Sequence, residues 1–119
     1  MGPTLVIGAS EKADRYAYKA VRMLSEHRYE VIAFGNRRGK IGDTEISTDW
    51  NNDWSPDTVT LYINPKIQEV YIDRIIALNP RRVIFNPGTE NSLFKQMLEK
   101  NGIEVLEACT LVMLSTGQY

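Results

Sequence analysis

Short apolar runs alternate with amphipathic stretches along the chain. Thr4-Leu5-Val6-Ile7-Gly8 is a β-rich run closed by glycine, the pattern of a buried strand ending in a turn. Ala17, Ala20, Val21 and Leu24 then recur at i, i+3, i+4 and i+7, which predicts a helix with one apolar face. Tyr29 to Phe34 predicts a second strand, stopped by the basic, turn-rich Gly35-Asn36-Arg37-Arg38-Gly39. From Lys40 to Asp57 the sequence is polar and irregular, so a long connection is expected, with room for one small strand near Glu45-Ile46. Val59 to Ile63 predicts a third strand. Asn64-Pro65 then starts a helix, because Asn caps and Pro suits the first helical position, where an N–H is not needed. Ile67, Val70, Tyr71, Ile75 and Leu78 make one face of that helix, and Asn79-Pro80 ends it. Arg82 to Phe85 predicts a fourth strand, closed by Asn86-Pro87-Gly88-Thr89. Leu93, Phe94, Met97 and Leu98 mark a third helix, stopped at Asn101-Gly102. A fifth strand runs from Ile103 to Leu106, and Ala108 to Thr116 is an apolar terminal helix.

This alternation predicts an α/β fold, a doubly wound parallel five-stranded sheet with helices on both faces, as one domain over residues 1–119. Such sheets bind ligands beyond the carboxyl ends of their strands. The residues that matter are therefore those just after each strand.

Composition narrows the class. Apolar residues make up 43% and charged residues 24%, as in soluble globular proteins. Fourteen Lys and Arg against fifteen Asp and Glu give a net charge of −1, which argues against a general nucleic-acid binder. The single Cys allows no internal disulfide and no Cys-based zinc site, and the single His excludes a mechanism needing two imidazoles. No apolar run is long enough for a membrane span and no signal-peptide pattern opens the chain, so a cytoplasmic protein is expected.

Two turns carry candidate chemistry. In Gly8-Ala9-Ser10-Glu11-Lys12, small residues after a strand let a phosphate approach the backbone, where the N–H groups opening the next helix would meet it. Ser10 adds a hydroxyl and Arg15 a charged donor; Tyr16 either reaches the same ligand or is a half-buried aromatic at the helix start. The full Gly-x-Gly-x-x-Gly fingerprint is absent, so a plain turn stands beside this reading. After the second strand a NAD site wants an acid, but here lie Asn36, Arg37 and Arg38, with Lys40 close by. Guanidinium groups suit a phosphorylated ribose, which leaves NADP or coenzyme A; a solvated basic loop is the plain alternative. Ile63-Asn64-Pro65 and Asn86-Pro87-Gly88-Thr89 would line the crevice with backbone groups and flat apolar surface. No acid–base pair, Cys–His pair or Ser–His–Asp set falls on these turns, which points to binding rather than turnover.

Other residues have plainer readings. Cys109 lies among apolar and acidic neighbours and reads as inert, although a mixed disulfide with a thiol ligand is conceivable. His27 reads as a helix C-terminal cap. Trp50 and Trp54 either anchor the long connection or stack on an adenine. Arg81 and Arg82 read as surface charge. Leu111 to Leu114 is core if buried and a homodimer face if exposed.

Nearly the whole chain resembles the small single-domain CoA-binding proteins, which are similar to the N-terminal nucleotide-binding domain of the succinyl-CoA synthetase alpha subunit. The resemblance rests on Gly8-Ala9-Ser10, Arg15, Tyr29-Glu30-Val31-Ile32 leading to Arg37, Asn64-Pro65, and Asn101-Gly102-Ile103-Glu104-Val105 running into Cys109. It implies a Rossmann-like domain in which Gly8, Ala9, Ser10 and Arg15 hold the phosphates. Asn36, Arg37 and Arg38 would hold the phosphorylated ribose or adenine end. Ile63, Asn64 and Pro65, with Asn86, Pro87, Gly88 and Thr89, would flank the ligand. Ligase activity is not implied, because the synthetase's phosphorylated His lies outside that domain. The expectation is a domain that binds coenzyme A or an acyl-CoA without catalysis and without metal. Its rivals are an NADP-binding oxidoreductase and a protein-interaction module with a vestigial pocket.

Overall fold

Four consecutive buried residues leave a strand no solvent face, and Thr4–Ile7 (β1) lies mid-sheet, covered on both sides. The computed structural model describes residues 2–119. After β1 come α1 (Tyr16–Glu26), β2 (Val31–Phe34), β3 (Gly39–Ile41), β4 (Thr44–Ser47), β5 (Thr58–Leu61) and α2 (Pro65–Gln68). The chain continues through α3 (Ile72–Leu78), β6 (Arg82–Phe85), α4 (Ser92–Lys100), β7 (Glu104–Glu107) and α5 (Thr110–Ser115). The strands form one sheet in the order β3-β4-β2-β1-β5-β6-β7. All pairings are parallel except β3 with β4. Alternate residues feed two cores: Leu5, Ile7, Phe34 and Leu61 pack with α3 and α4, while Val6, Ala33 and Ile46 pack with α1. Among the described residues, no helix is long and apolar enough to cross a membrane.

The sheet has seven strands, not five. Both additions come from residues 39–47, where one small strand was expected. Ile41 and Ile46 are buried in the α1 core while Lys40 and Glu45 stay exposed, so the two segments alternate as a hairpin around Gly42-Asp43. This hairpin stands where a crossover helix would follow β2, and it carries the Asn36-Arg37-Arg38 loop over the carboxyl end of β4.

The single helix expected after Pro65 is two helices. Asn64 does cap it, accepting from the Ile67 N–H at 3.0 Å, and Pro65 is its first residue. The chain then turns at Glu69 to Tyr71, because the fully buried Gln68 is pinned by its own side chain and Tyr71 packs on Phe34 and Trp50. Ile67 and Val70, placed on the apolar face by their spacing, are consequently 47% and 64% exposed. Asn79 ends α3 in the left-handed conformation, as Asn79-Pro80 suggests.

Arg82 is not surface charge. It is 5% exposed, with its guanidinium 4.4 Å from the Tyr119 ring centroid and its Nε donating to Thr58 Oγ1 at 2.9 Å. Tyr119 also shares a hydrogen bond with Thr4 and meets Tyr29 edge-on. Met113 and Leu114 are buried, so the Leu111–Leu114 run is largely core, with Val112 left exposed.

Arg81 remains at the surface. Its Nε and one terminal nitrogen donate to the two oxygens of Asp57, each at 2.9 Å. The Arg81 guanidinium holds the Asp57 carboxyl below its ordinary 3.8. A depressed carboxyl stabilises the fold above its unfolded value, and that contribution disappears as pH falls through the folded one. Asp57→Asn should therefore lower the unfolding free energy by about 1 kcal/mol at pH 7, solvent screening included. The gap to wild type should narrow on acidification below 3.8. Urea melts of both proteins at neutral and acidic pH check this; a gap that widens in acid would contradict it.

Candidate functional site

From β1 the chain builds outward through β2 and β4, then returns to β5 and builds the other way through β6 and β7. The carboxyl ends of β1 and β5 therefore flank a crevice, the usual ligand position in an open α/β sheet. A cleft of about 740 Å³ opens there.

Close backbone packing shapes its floor. Gly8 has φ +98°, and a Cβ on it would lie 3.0 Å from the Tyr62 carbonyl oxygen. A Cβ on Gly35 would lie 2.2 Å from the Ala9 carbonyl oxygen. The turns after β1, β2 and β5 are thus in van der Waals contact through main chain.

The Gly8 and Ala9 N–H groups both donate to the Phe34 carbonyl, at 2.9 and 3.0 Å. They hold the turn to β2, so they shape the site and are not free donors to a phosphate. The open donors lie further on. Helix α1 has Arg15 at its N-cap and no side chain capping its first turn, and Tyr16 and Ala17 line the cleft there. An uncapped helix start presents unpaired N–H groups to an anion. Ser10 Oγ accepts from the Lys12 N–H at 3.1 Å, which leaves its hydroxyl proton to donate outward.

Charge follows the same plan. Lys12, Arg15, Arg37 and Arg38 line the cleft against the single carboxylate of Glu11. Arg38 lies 3.8 Å from Asp49, but both side chains are more than four-fifths exposed, so that pairing holds the guanidinium weakly. Tyr16, 68% exposed with Lys19 over its ring at 5.4 Å, and Ile67 add apolar surface to the rim.

Of the residues expected at the site, Gly8, Ala9, Ser10, Arg15, Tyr16, Asn36, Arg37, Arg38, Ile63, Asn64, Pro87, Gly88 and Thr89 all line this cleft. Two do not. Pro65 sets the start of α2. Asn86 is 2% exposed and fully engaged inside the protein: its Nδ2 donates to Thr60 Oγ1 at 2.6 Å and to the Leu61 carbonyl at 2.9 Å, and its Oδ1 accepts from the Thr110 N–H at 2.9 Å.

Other residues enter without having been expected. Gln68 Nε2 donates to the Ile63 and Thr89 carbonyls, both at 2.8 Å, and so fastens the turn after β5 to the turn after β6. Tyr62 lines the cleft with its hydroxyl buried and, among the described residues, without a hydrogen-bond partner. Burial pushes that hydroxyl up to about 12, so it is a neutral group at physiological pH. Tyr71 reaches the cleft only because the helix breaks before it.

The tryptophans lie outside the cleft. Trp50 packs against Phe34 and Tyr71, with ring centroids 5.2 and 5.6 Å away, and Trp54 packs against Phe34 and Trp50. They anchor the connection and buttress the cleft from behind rather than stacking on an adenine in it. They also border a separate hollow of about 670 Å³. His27 is a C-cap, its Nδ1 2.8 Å from the Met23 carbonyl oxygen. Cys109 is half-buried before α5 and outside the cleft lining. Among the described residues, no group of three His, Cys, Asp or Glu is arranged to hold a metal ion.

A family described as CoA binding domain matches residues 3–115. The chain is similar to an uncharacterized protein of known crystal structure, at 44% identity over 100% of this chain and 98% of that one, with a TM-score of 0.94. A Thermus thermophilus protein, "cell-free ID.343", aligns at 21% identity over 99% of this chain and 91% of its own, TM-score 0.83. A hypothetical protein from Pyrococcus horikoshii OT3 aligns at 20% identity over 97% and 82%, TM-score 0.87. The last two share the fold. No curated protein matches.

Proposed function

The chain belongs to the CoA binding domain family, and from that premise we propose that it binds coenzyme A, free or acylated, across the crest of the sheet without transforming it. The observation that carries this reading is the pairing of an uncapped α1 start with four cations along one cleft. The diphosphate lies at the first turn of α1, against Arg15 and the Ser10 hydroxyl. The ribose 3′-phosphate lies against Arg37 and Arg38, whose planar forks suit it. The pantetheine arm runs over Ile63, Pro87 and Gly88. The titratable groups lining the cleft are cations, tyrosine hydroxyls and a Glu11 carboxylate already bonded to main chain. That set supports binding rather than turnover.

Isothermal titration with coenzyme A, dephospho-coenzyme A and NADPH tests the assignment. Coenzyme A should bind most tightly, with dephospho-coenzyme A weaker by about tenfold for the lost charge-assisted contacts. Replacing Arg37 and Arg38 together by Ala should abolish that difference, and added salt should shrink it. Equal affinity for the two coenzymes in the wild type would remove the role given to the arginines. Tightest binding of NADPH, with hydride transfer to a carbonyl, would favour an oxidoreductase.

A further inference from the structure

A carboxylate among four cations opposes the binding of an anion, so Glu11 in this cleft needs another task. Its Oε2 accepts from the Lys40 N–H at 2.9 Å, twenty-nine residues along the chain. Lys40 belongs to β3, the outermost strand, while Glu11 follows β1, so the link spans β2 and β4 over the crest. The fit is tight: a Cβ on Gly39 would lie 2.1 Å from Glu11 Cδ and 2.3 Å from its Cγ. Gly39 has no side chain, and the Glu11 side chain occupies that space.

Between these contacts lies the basic loop. Gly35 N–H is fixed to the Ser47 carbonyl at 3.0 Å on one side, and Lys40 N–H is fixed to Glu11 on the other. Asn36, Arg37 and Arg38 are exposed, and among the described residues the only ion pair on them is the 3.8 Å approach of Arg38 to Asp49. The end of the loop is also held by the pairing of Gly39 with Ile46 in β4, and the Glu11 contact ties that end directly to the phosphate turn.

We infer that Glu11 is a positioning residue, a latch that holds the Arg37-Arg38 loop at a fixed separation from the α1 phosphate turn. Resting on the coenzyme A reading, it makes the site select ligands with two separated phosphate groups over those with a diphosphate alone. The carboxylate acts through its hydrogen bond and its bulk against Gly39, not through its charge. Glutamine, which keeps the acceptor and the length, should substitute for it.

Two readouts separate the latch from the ligand. The first needs no ligand. Trypsin should cut after Arg37 or Arg38 several-fold faster in Glu11→Ala and in Gly39→Ala than in wild type, and at the wild-type rate in Glu11→Gln. Adding Gly39→Ala to Glu11→Ala should change nothing further, because the two substitutions break one contact. The urea midpoint of each variant, measured alongside, separates loop release from global unfolding. Unchanged cleavage in Glu11→Ala, or cleavage in Glu11→Gln as fast as in Glu11→Ala, overturns the latch.

The second readout is titration. Glu11→Ala should weaken coenzyme A about fivefold, as expected for one lost hydrogen bond that orders a loop, and leave dephospho-coenzyme A unchanged. Equal weakening of both, or of neither, overturns the role in selectivity. If the wild type binds no coenzyme A while the cleavage pattern holds, the latch stands and the ligand assignment fails.

Discussion

Gly35→Ala is expected to lower the unfolding free energy by about 3 kcal/mol, the upper range for overfilling a packed site. The new methyl would lie 2.2 Å from the Ala9 carbonyl oxygen and 3.2 Å from Ile46 Cγ2. No flexible side chain stands at the nearer contact; it is main chain, held by the Gly8 and Ala9 bonds to the Phe34 carbonyl. Relief requires the turns after β1 and β2 to move apart, which displaces Ser10 and Arg15 from the basic loop. Whatever fraction remains folded should therefore lose affinity for coenzyme A as well. Urea denaturation and titration of the same sample measure both effects. A variant with wild-type midpoint and affinity would mean that the two turns do not approach as described.

Asn86→Ala should have a comparable effect on stability and a smaller one on binding. It removes three hydrogen bonds and leaves the Thr110 N–H and the Leu61 carbonyl without that partner inside the protein. Buried groups stranded in this way cost about 3 kcal/mol in total. The Thr60–Thr110 hydroxyl pair, at 2.8 Å, belongs to the same network. Thr110→Val should cost about 1 kcal/mol, since it deletes one hydroxyl and keeps the main-chain bond. If Asn86→Ala costs less than about 1 kcal/mol, the side chain is not the tie between β5, β6 and α5 that its contacts indicate.

Strands β1, β5 and β6 and the turns after them were legible because each is a run of four buried residues with a chain-breaking closure. Gly8, Asn64-Pro65 and Asn86-Pro87-Gly88 end strands by local chemistry alone. The hairpin of β3 and β4 was harder. Its strands offer one deeply buried apolar residue each, Ile41 and Ile46, and the Gly42-Asp43 pair between them was the signal available. The break after Gln68 left no local mark, since it depends on carbonyls of Ile63 and Thr89 that only the folded sheet brings within reach. The roles of Asn86 and Arg82 were misread for a related reason. An Asn in a turn and an Arg at a strand start look exposed by residue type, and only tertiary partners make their burial tolerable.

The aromatic cluster behind the cleft makes the protein its own optical probe. Phe34 and Tyr71 line the cleft on one side and touch Trp50 on the other, and the chain has two tryptophans. A ligand that shifts either ring alters the surroundings of an indole it never contacts. Intrinsic emission should change as the cleft fills, and Trp50→Phe should mute the signal while leaving the affinity in place. Occupancy can then be followed in the unlabelled protein.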